Sequence, residues 1–212
     1  SRIDNMITYR SPTIAGFQTT LQYSMKTDGN EEGNENTSAV NRFYAGGIRY
    51  NLNKLNIVAA YEETDWGKNT AATAKASTSK KVATLGGSYR FDPVTVYLQG
   101  QYFNGVNKLD GFSTAKNIKG FGIYGGTQFW FGLSSWQSMV YYRNYKVDTV
   151  NGINHHQASL IGVATKYLYR PSKSIDMYIG AGFSRWDGQN STTKKFTKDH
   201  TINVFTGITK YF

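Results

Sequence analysis

With 212 residues and no cysteine, the chain is long enough for one large domain, and disulfide frameworks, Cys-ligated zinc and thiol catalysis are excluded. Its formal net charge is +10, yet the Lys and Arg residues form no dense tract (the nearest are Lys80-Lys81 and Lys194-Lys195), which argues against a nucleic-acid partner. Hydrophobic residues are only 39%, aromatics are 15% and glycines number 22, a balance expected of strands that alternate between an apolar and a wet face; no apolar run approaches the roughly 18 residues of a transmembrane helix.

Period-2 alternation dominates and helical periodicity is absent, which predicts an all-β fold. About eleven strands are expected, over residues 3–10, 17–26, 40–51, 55–64, 81–91, 94–104, 118–131, 136–146, 155–169, 175–186 and 200–212. Their lengths suit membrane strands, which need about 9–11 residues when tilted. The connections 11–16, 52–54, 92–93, 132–135 and 170–174 are short, and they alternate with long polar stretches at 27–39, 65–80, 105–117, 147–154 and 187–199. An up-and-down meander sorts these to opposite rims, as outer-membrane barrels do with short periplasmic turns and long extracellular loops. Pro12, Pro93 and Pro171 all fall in short turns, where proline removes no ladder hydrogen bond.

The alternation is explicit in single strands. Phe17, Thr19, Leu21, Tyr23 and Met25 share one face, and Gln18, Thr20, Gln22, Ser24 and Lys26 the other. Tyr9, Tyr50, Phe91, Phe129, Trp130, Phe131, Trp136, Tyr167, Tyr169, Tyr211 and Phe212 border short turns or the last residue, where one interfacial girdle is expected.

Three ordered segments carry a resemblance. Arg2-Ile3-Asp4-Asn5-Met6-Ile7-Thr8-Tyr9-Arg10-Ser11-Pro12 with Ala15-Gly16-Phe17 resembles the part of proteobacterial general porins that follows their constriction loop. Tyr167-Leu168-Tyr169, Ser172-Lys173-Ser174 and Met177-Tyr178 resemble the family's late strand–turn–strand motif. Gly207-Ile208-Thr209-Lys210-Tyr211-Phe212 resembles its terminal strand, with Lys210 where the family often has His. The resemblance implies an antiparallel up-and-down transmembrane β-barrel of about sixteen strands, assembled as a homotrimer in the outer membrane of a Gram-negative bacterium. It further implies passive diffusion of small hydrophilic solutes and ions, contact with outer-membrane lipid and lipopolysaccharide, no cofactor, and Phe212 as the barrel-assembly terminus. Residues 1–212 are read as one barrel domain. Because single-chain bacterial barrels have even strand numbers, an odd count starting just after the constriction loop predicts that a separate N-terminal chain or fragment completes the barrel. A smaller complete barrel with one more strand is the alternative.

In such a barrel the functional residues line the lumen. Arg2, Asp4, Arg10, Lys26, Arg49, Glu62, Arg90 and Arg143 lie on the face opposite the apolar pattern, and the resemblance makes Arg2 the leading one. A cationic wall concentrates anions and repels cations, so an anion-preferring channel is expected. The blander reading of each residue is a solvated side chain on a wet surface, and a substrate-specific channel for sugars or carboxylates is the alternative function. Asp28, Glu31, Glu32 and Glu35 match no calcium-loop spacing and read as a solvated acidic loop. His155 and His156 point to opposite faces of a strand, which argues against a metal site with His200. No nucleophile-and-base arrangement is visible, so no enzymatic activity is expected.

Overall fold

The computed structural model describes residues 3–30, 32–70, 78–106, 116–148, 156–189 and 195–211. Arg2, Glu31, His155 and Phe212 lie outside the described residues. Eleven strands run in chain order: β1 (Met6–Arg10), β2 (Phe17–Ser24), β3 (Arg42–Leu52), β4 (Leu55–Asp65), β5 (Lys80–Arg90), β6 (Val94–Val106), β7 (Lys116–Phe131), β8 (Ser134–Asp148), β9 (His156–Ser172), β10 (Ile175–Gln189) and β11 (Phe196–Lys210). Each pairs antiparallel with its sequence neighbours in one sheet, and the sheet is open, with β1 and β11 as its edges. The meander follows from local chemistry. Asn53 (φ 48°) opens the β3–β4 turn and Gly132 (φ 56°) the β7–β8 turn, and a positive φ at the first turn position matches the twist of the flanking strands.

Cross-strand partners share a face, and the register assigns every side chain to one side of the sheet. Leu21 opposes Gly46, Ile48 opposes Ala59, Leu85 opposes Gly100, and Ile123 opposes Tyr142. This outer face carries Leu21, Ile48, Leu85, Leu98, Ile123, Val140, Val163, Ile179 and Ile202, all exposed. Each such side chain stabilises by about 1.5–3 kcal/mol when it leaves water, and a belt this continuous does not suit an aqueous surface. Hydrocarbon is the medium that covers it.

The sequence predicts one aromatic girdle; the fold has two. Tyr50, Tyr89, Phe129, Phe131, Trp136 and Tyr167 ring the outer face near the short turns, and Tyr44, Tyr61, Tyr102, Phe121 and Tyr142 ring it near the long loops. On β7, Phe121 and Phe129 are separated by about 26 Å at roughly 3.3 Å per residue, close to the apolar band of about 25 Å in outer-membrane barrels. Trp130 and Tyr211 do not join the lower girdle. Trp130 opposes Ser135 between two outward aromatics, and Tyr211 donates its hydroxyl to Asp176 on the inner face.

Pro171 also departs from expectation. It lies within β9 rather than in the following turn, at a register shift where Ile175 opposes Ser172 but Met177 opposes Tyr169. The extra residue makes a bulge, where a strand tolerates proline and re-aims its neighbours. Arg170 is thereby aimed at Asp176, donating from Nε to Oδ1 at 2.7 Å and from Nη2 to Oδ2 at 3.0 Å. At the other rim the long loops dock on one another. The Lys68 N–H donates to the Ser38 carbonyl at 2.9 Å and the Asn69 N–H to that of Ala39 at 3.0 Å, and a Cβ on the preceding Gly67 would lie 2.4 Å from the Ala39 oxygen.

Candidate pore wall

The inner face is polar where the outer face is apolar, and it changes character along its height. At the loop end it is closed by a small core. Phe103, Ile118, Tyr145, Val147 and Ala158 are buried there, with Val82, Val106 and Trp186 packed against them. The Trp186 Nε1–H donates to the Tyr145 hydroxyl at 3.0 Å. Below this core the wall is built from amides and hydroxyls. One cross-strand row reads Arg10, Thr20, Gly47, Ala60, Thr84, Gln101, Gly122, Arg143, and another reads Arg90, Thr95, Gln128, Gln137, Lys166. Asn56, Thr84, Ser88, Gln99, Gln128 and Gln137 line a shallow concavity on this surface.

Aromatic rings on this face lie flat because their partners are glycines. Tyr141 opposes Gly162, Tyr178 opposes Gly207, and Phe205 opposes Gly180. A Cβ built on these glycines would meet the facing ring at 2.3–2.4 Å, so any larger residue drives the ring off the wall. Gly162→Val is expected to turn the Tyr141 ring toward the lumen and lower single-channel conductance in planar bilayers, whereas the outward Gly125→Val, with open space around its Cβ position, leaves conductance unchanged. Equal conductance in the two variants would refute this role for Gly162.

The expected wall residues divide into three groups. Arg10, Arg49 and Arg143 project from β1, β3 and β8 on the inner face. Arg10 and Arg49 are exposed and have no carboxylate partner among the described residues, while Arg143 donates to the Tyr124 hydroxyl at 3.0 Å. Glu62 and Arg90 are also inward but engaged, Glu62 by Lys80 at 2.9 Å and Arg90 by Asp92 at 3.1 Å. Asp4 and Lys26 fall outside the strands, and each makes a hydrogen bond within the adjoining loop: Asp4 Oδ2 accepts the Gly29 N–H at 2.9 Å, and Lys26 Nζ donates to the Gly33 carbonyl at 3.4 Å. Of the acidic loop residues, Asp28 accepts the Asn30 N–H at 2.9 Å in a local turn.

Sequence reasoning missed two inner cations. Lys166 opposes Gln137 on one side and Gly180 on the other, with its ammonium 5.9 Å from the Tyr178 ring centre. Arg170 is held by Asp176 and lies 5.9 Å from the Trp130 ring centre. The alternation of β9 carried a signal for Lys166, since it faces away from Val163 and Tyr167. Arg10, Arg49, Arg90, Lys166 and Arg170 thus all stand toward the short-turn end. At that rim the exposed Lys54–Asp92 pair, 2.8 Å apart, ties adjacent turns. The hydrogen bond from Lys54 holds the Asp92 carboxyl below the usual carboxylate range.

An open antiparallel meander with an apolar outer belt, two aromatic girdles and a polar inner face is the wall of a transmembrane β-barrel. The family model described as Gram-negative porin matches residues 1–189, and the chain belongs to that family. Over 107 residues it is 29% identical to an outer membrane porin protein of Bordetella pertussis, covering 46% of this chain and 26% of that one. Among solved structures it is similar to the anion-selective porin from Comamonas acidovorans (TM-score 0.67, 18% identity, 99% of this chain and 60% of that one). It is also similar to OmpT, an outer membrane protein of Vibrio cholerae (TM-score 0.66, 10% identity, 98% and 64%). The outer membrane channel DcaP of Acinetobacter baumannii matches with TM-score 0.62 at 13% identity, over 97% of this chain and 62% of that one. The chain therefore spans about a quarter of the curated relative and about three fifths of these solved chains. Family and localisation follow together: this is outer-membrane β-barrel sequence, and membership points to a channel rather than an enzyme.

Proposed function

We propose that the chain forms the greater part of the wall of a water-filled, anion-preferring diffusion channel for small hydrophilic solutes and ions. The observation that carries this reading is the charge balance of the inner face. Arg10, Arg49 and Lys166 make no ion pair among the described residues, and the inward carboxylates Glu62 and Asp176 are each paired with a cation. The inward Asp199, opposite Trp186, stands at the loop end, away from the short-turn end where these cations lie. A lumen with uncompensated positive charge lowers the energy of an anion and raises that of a cation. The anion selectivity named for the Comamonas porin is consistent with this reading. In bilayers bathed by a salt gradient, the reversal potential is expected to have the sign of anion preference, and a cation-selective potential would overturn the proposal.

The open edges of β1 and β11 leave backbone donors and acceptors that hydrocarbon cannot satisfy. Further strands, from the same precursor or a separate chain, would close the barrel, and the assembled porin would be a homotrimer. The mass of the undenatured complex, with sequencing of every N-terminus in it, tests both points: a closed complex built only of this 212-residue chain refutes the completion.

A further inference from the structure

The inner wall carries an apolar patch that the passage of ions does not need. Met139 on β8 faces the lumen and is 42% exposed, and the inward Phe205 on β11 is 41% exposed. Large apolar side chains left in water on a polar wall are unfavourable unless something covers them. Met139 opposes Ala164 in one cross-strand row, and Lys166 opposes Gln137 in the next row toward the short turns. The Phe205 ring lies over Gly180, so it leans into the sheet and away from the open edge of β11. Gly180 is also the β10 partner of Lys166. Phe205, Met139, Ala164, Lys166, Gln128 and Gln137 thus line one concavity, apolar on one side and cationic on the other.

We propose that this concavity is a subsite for aromatic monocarboxylates, solutes with one planar ring and one carboxylate. The assignment rests on the channel reading above, in which this face lines the lumen. The two rows are one two-residue step apart, about 7 Å along the strands, which suits a ring joined directly to its carboxylate. The ring covers Ala164 and Met139 and meets Phe205 from the side. Aromatic pairs favour such tilted or offset contacts, and a thioether favours a ring edge. The carboxylate reaches the Lys166 ammonium, which makes no ion pair among the described residues. That ammonium is steadied on the wall 5.9 Å from the Tyr178 ring centre. The Tyr97 hydroxyl donates to Gln128 Oε1 at 3.0 Å, leaving the Gln128 amide N–H groups to donate to the solute. A small inorganic anion uses only the cationic side, and a neutral ring only the apolar one.

The test uses the full-length porin in planar bilayers, with benzoate, cyclohexanecarboxylate and acetate as probes against a chloride current. Benzoate is expected to block the current saturably, with a half-blocking concentration about fivefold below that of cyclohexanecarboxylate. Acetate is expected not to block. Phe205→Leu keeps an apolar side chain without the ring. It is expected to raise the benzoate value about fivefold and to erase the difference between the two ring acids. Lys166→Gln is expected to raise both values about tenfold, the loss of a charge-assisted contact. Equal block by benzoate and cyclohexanecarboxylate in the wild-type channel overturns the aromatic assignment without any variant. Benzoate block that Phe205→Leu leaves unchanged overturns the place. An anion-selective wild-type channel that benzoate does not block overturns the subsite and leaves the channel reading standing. Benzoate binding to the porin in detergent, followed by ligand-observed NMR, reads the same site without a current. A protein that binds benzoate through Phe205 and Lys166 but passes no ions overturns the channel reading and keeps the site.

Discussion

Arg49→Glu/Lys166→Glu is expected to shift the anion-to-cation permeability ratio about eightfold toward cations at 0.1 M salt, by the electrostatic argument that follows. A unit charge ~10 Å from the pore axis contributes about 0.4 kcal/mol at the dielectric of water, cut to about 0.15 kcal/mol by screening over one Debye length. Two reversals change the wall by four charges, and the effect counts twice because anions and cations respond oppositely. The sum is about 1.2 kcal/mol. Arg49 is exposed and Lys166 half-buried, and neither is in an ion pair among the described residues, so the substitutions alter the field more than the fold. Reversal potentials in a salt gradient read the ratio directly. A ratio unchanged from wild type, in channels of normal conductance, would remove the inner cations as the source of selectivity. Raising the salt should shrink the difference, as screening requires.

Tyr145→Ala is expected to destabilise the barrel by about 3–5 kcal/mol, the range for removing a large buried aromatic. Tyr145 is fully buried on the inner face among Phe103, Ile118, Val147 and Ala158, and its strand partner Gly120 is flattened against it. A Cβ on Gly120 would lie 2.2 Å from the Asn144 carbonyl oxygen and 2.7 Å from Tyr145 Cα. Neither neighbour can fill the space a lost ring leaves. Tyr145→Phe keeps the ring but takes a partner from the Trp186 indole, a loss of about 1 kcal/mol for one hydrogen bond. Urea unfolding in vesicles, followed by Trp fluorescence, should rank Tyr145→Ala well below Tyr145→Phe. Lys173→Ala, at an exposed position of the β9–β10 turn, serves as the control. If Tyr145→Ala unfolds with Lys173→Ala, the loop-end core contributes nothing to stability.

Much of the fold was legible because strand alternation and turn chemistry are local. The eleven strands, the alternation of short turns with long loops, and the inward placement of Arg10, Arg49, Glu62, Arg90 and Arg143 follow from parity along single strands. Parity governs a strand only as far as its ends, and Asp4 and Lys26 lie beyond them, hydrogen-bonded to Gly29 and Gly33. In Phe129-Trp130-Phe131 three consecutive aromatics cannot share a face, and the middle one turns inward. Pro171 sits within β9 because a bulge adds a residue to the strand without ending its pairing.

The amino-acid order alone thus settles which residues face apart within each strand, since that depends only on the period of the extended backbone. It also implies the medium on either side, through the apolar and polar character of the two sets. Register across strands belongs to the folded sheet, because it depends on pairings between residues distant in sequence. Only the assembled sheet brings Tyr141 over Gly162, sets Lys119 against Lys146, and stands Arg10, Arg49 and Lys166 on one concave wall without carboxylate partners among the described residues. The unpaired charge of that wall is a property of the space between strands.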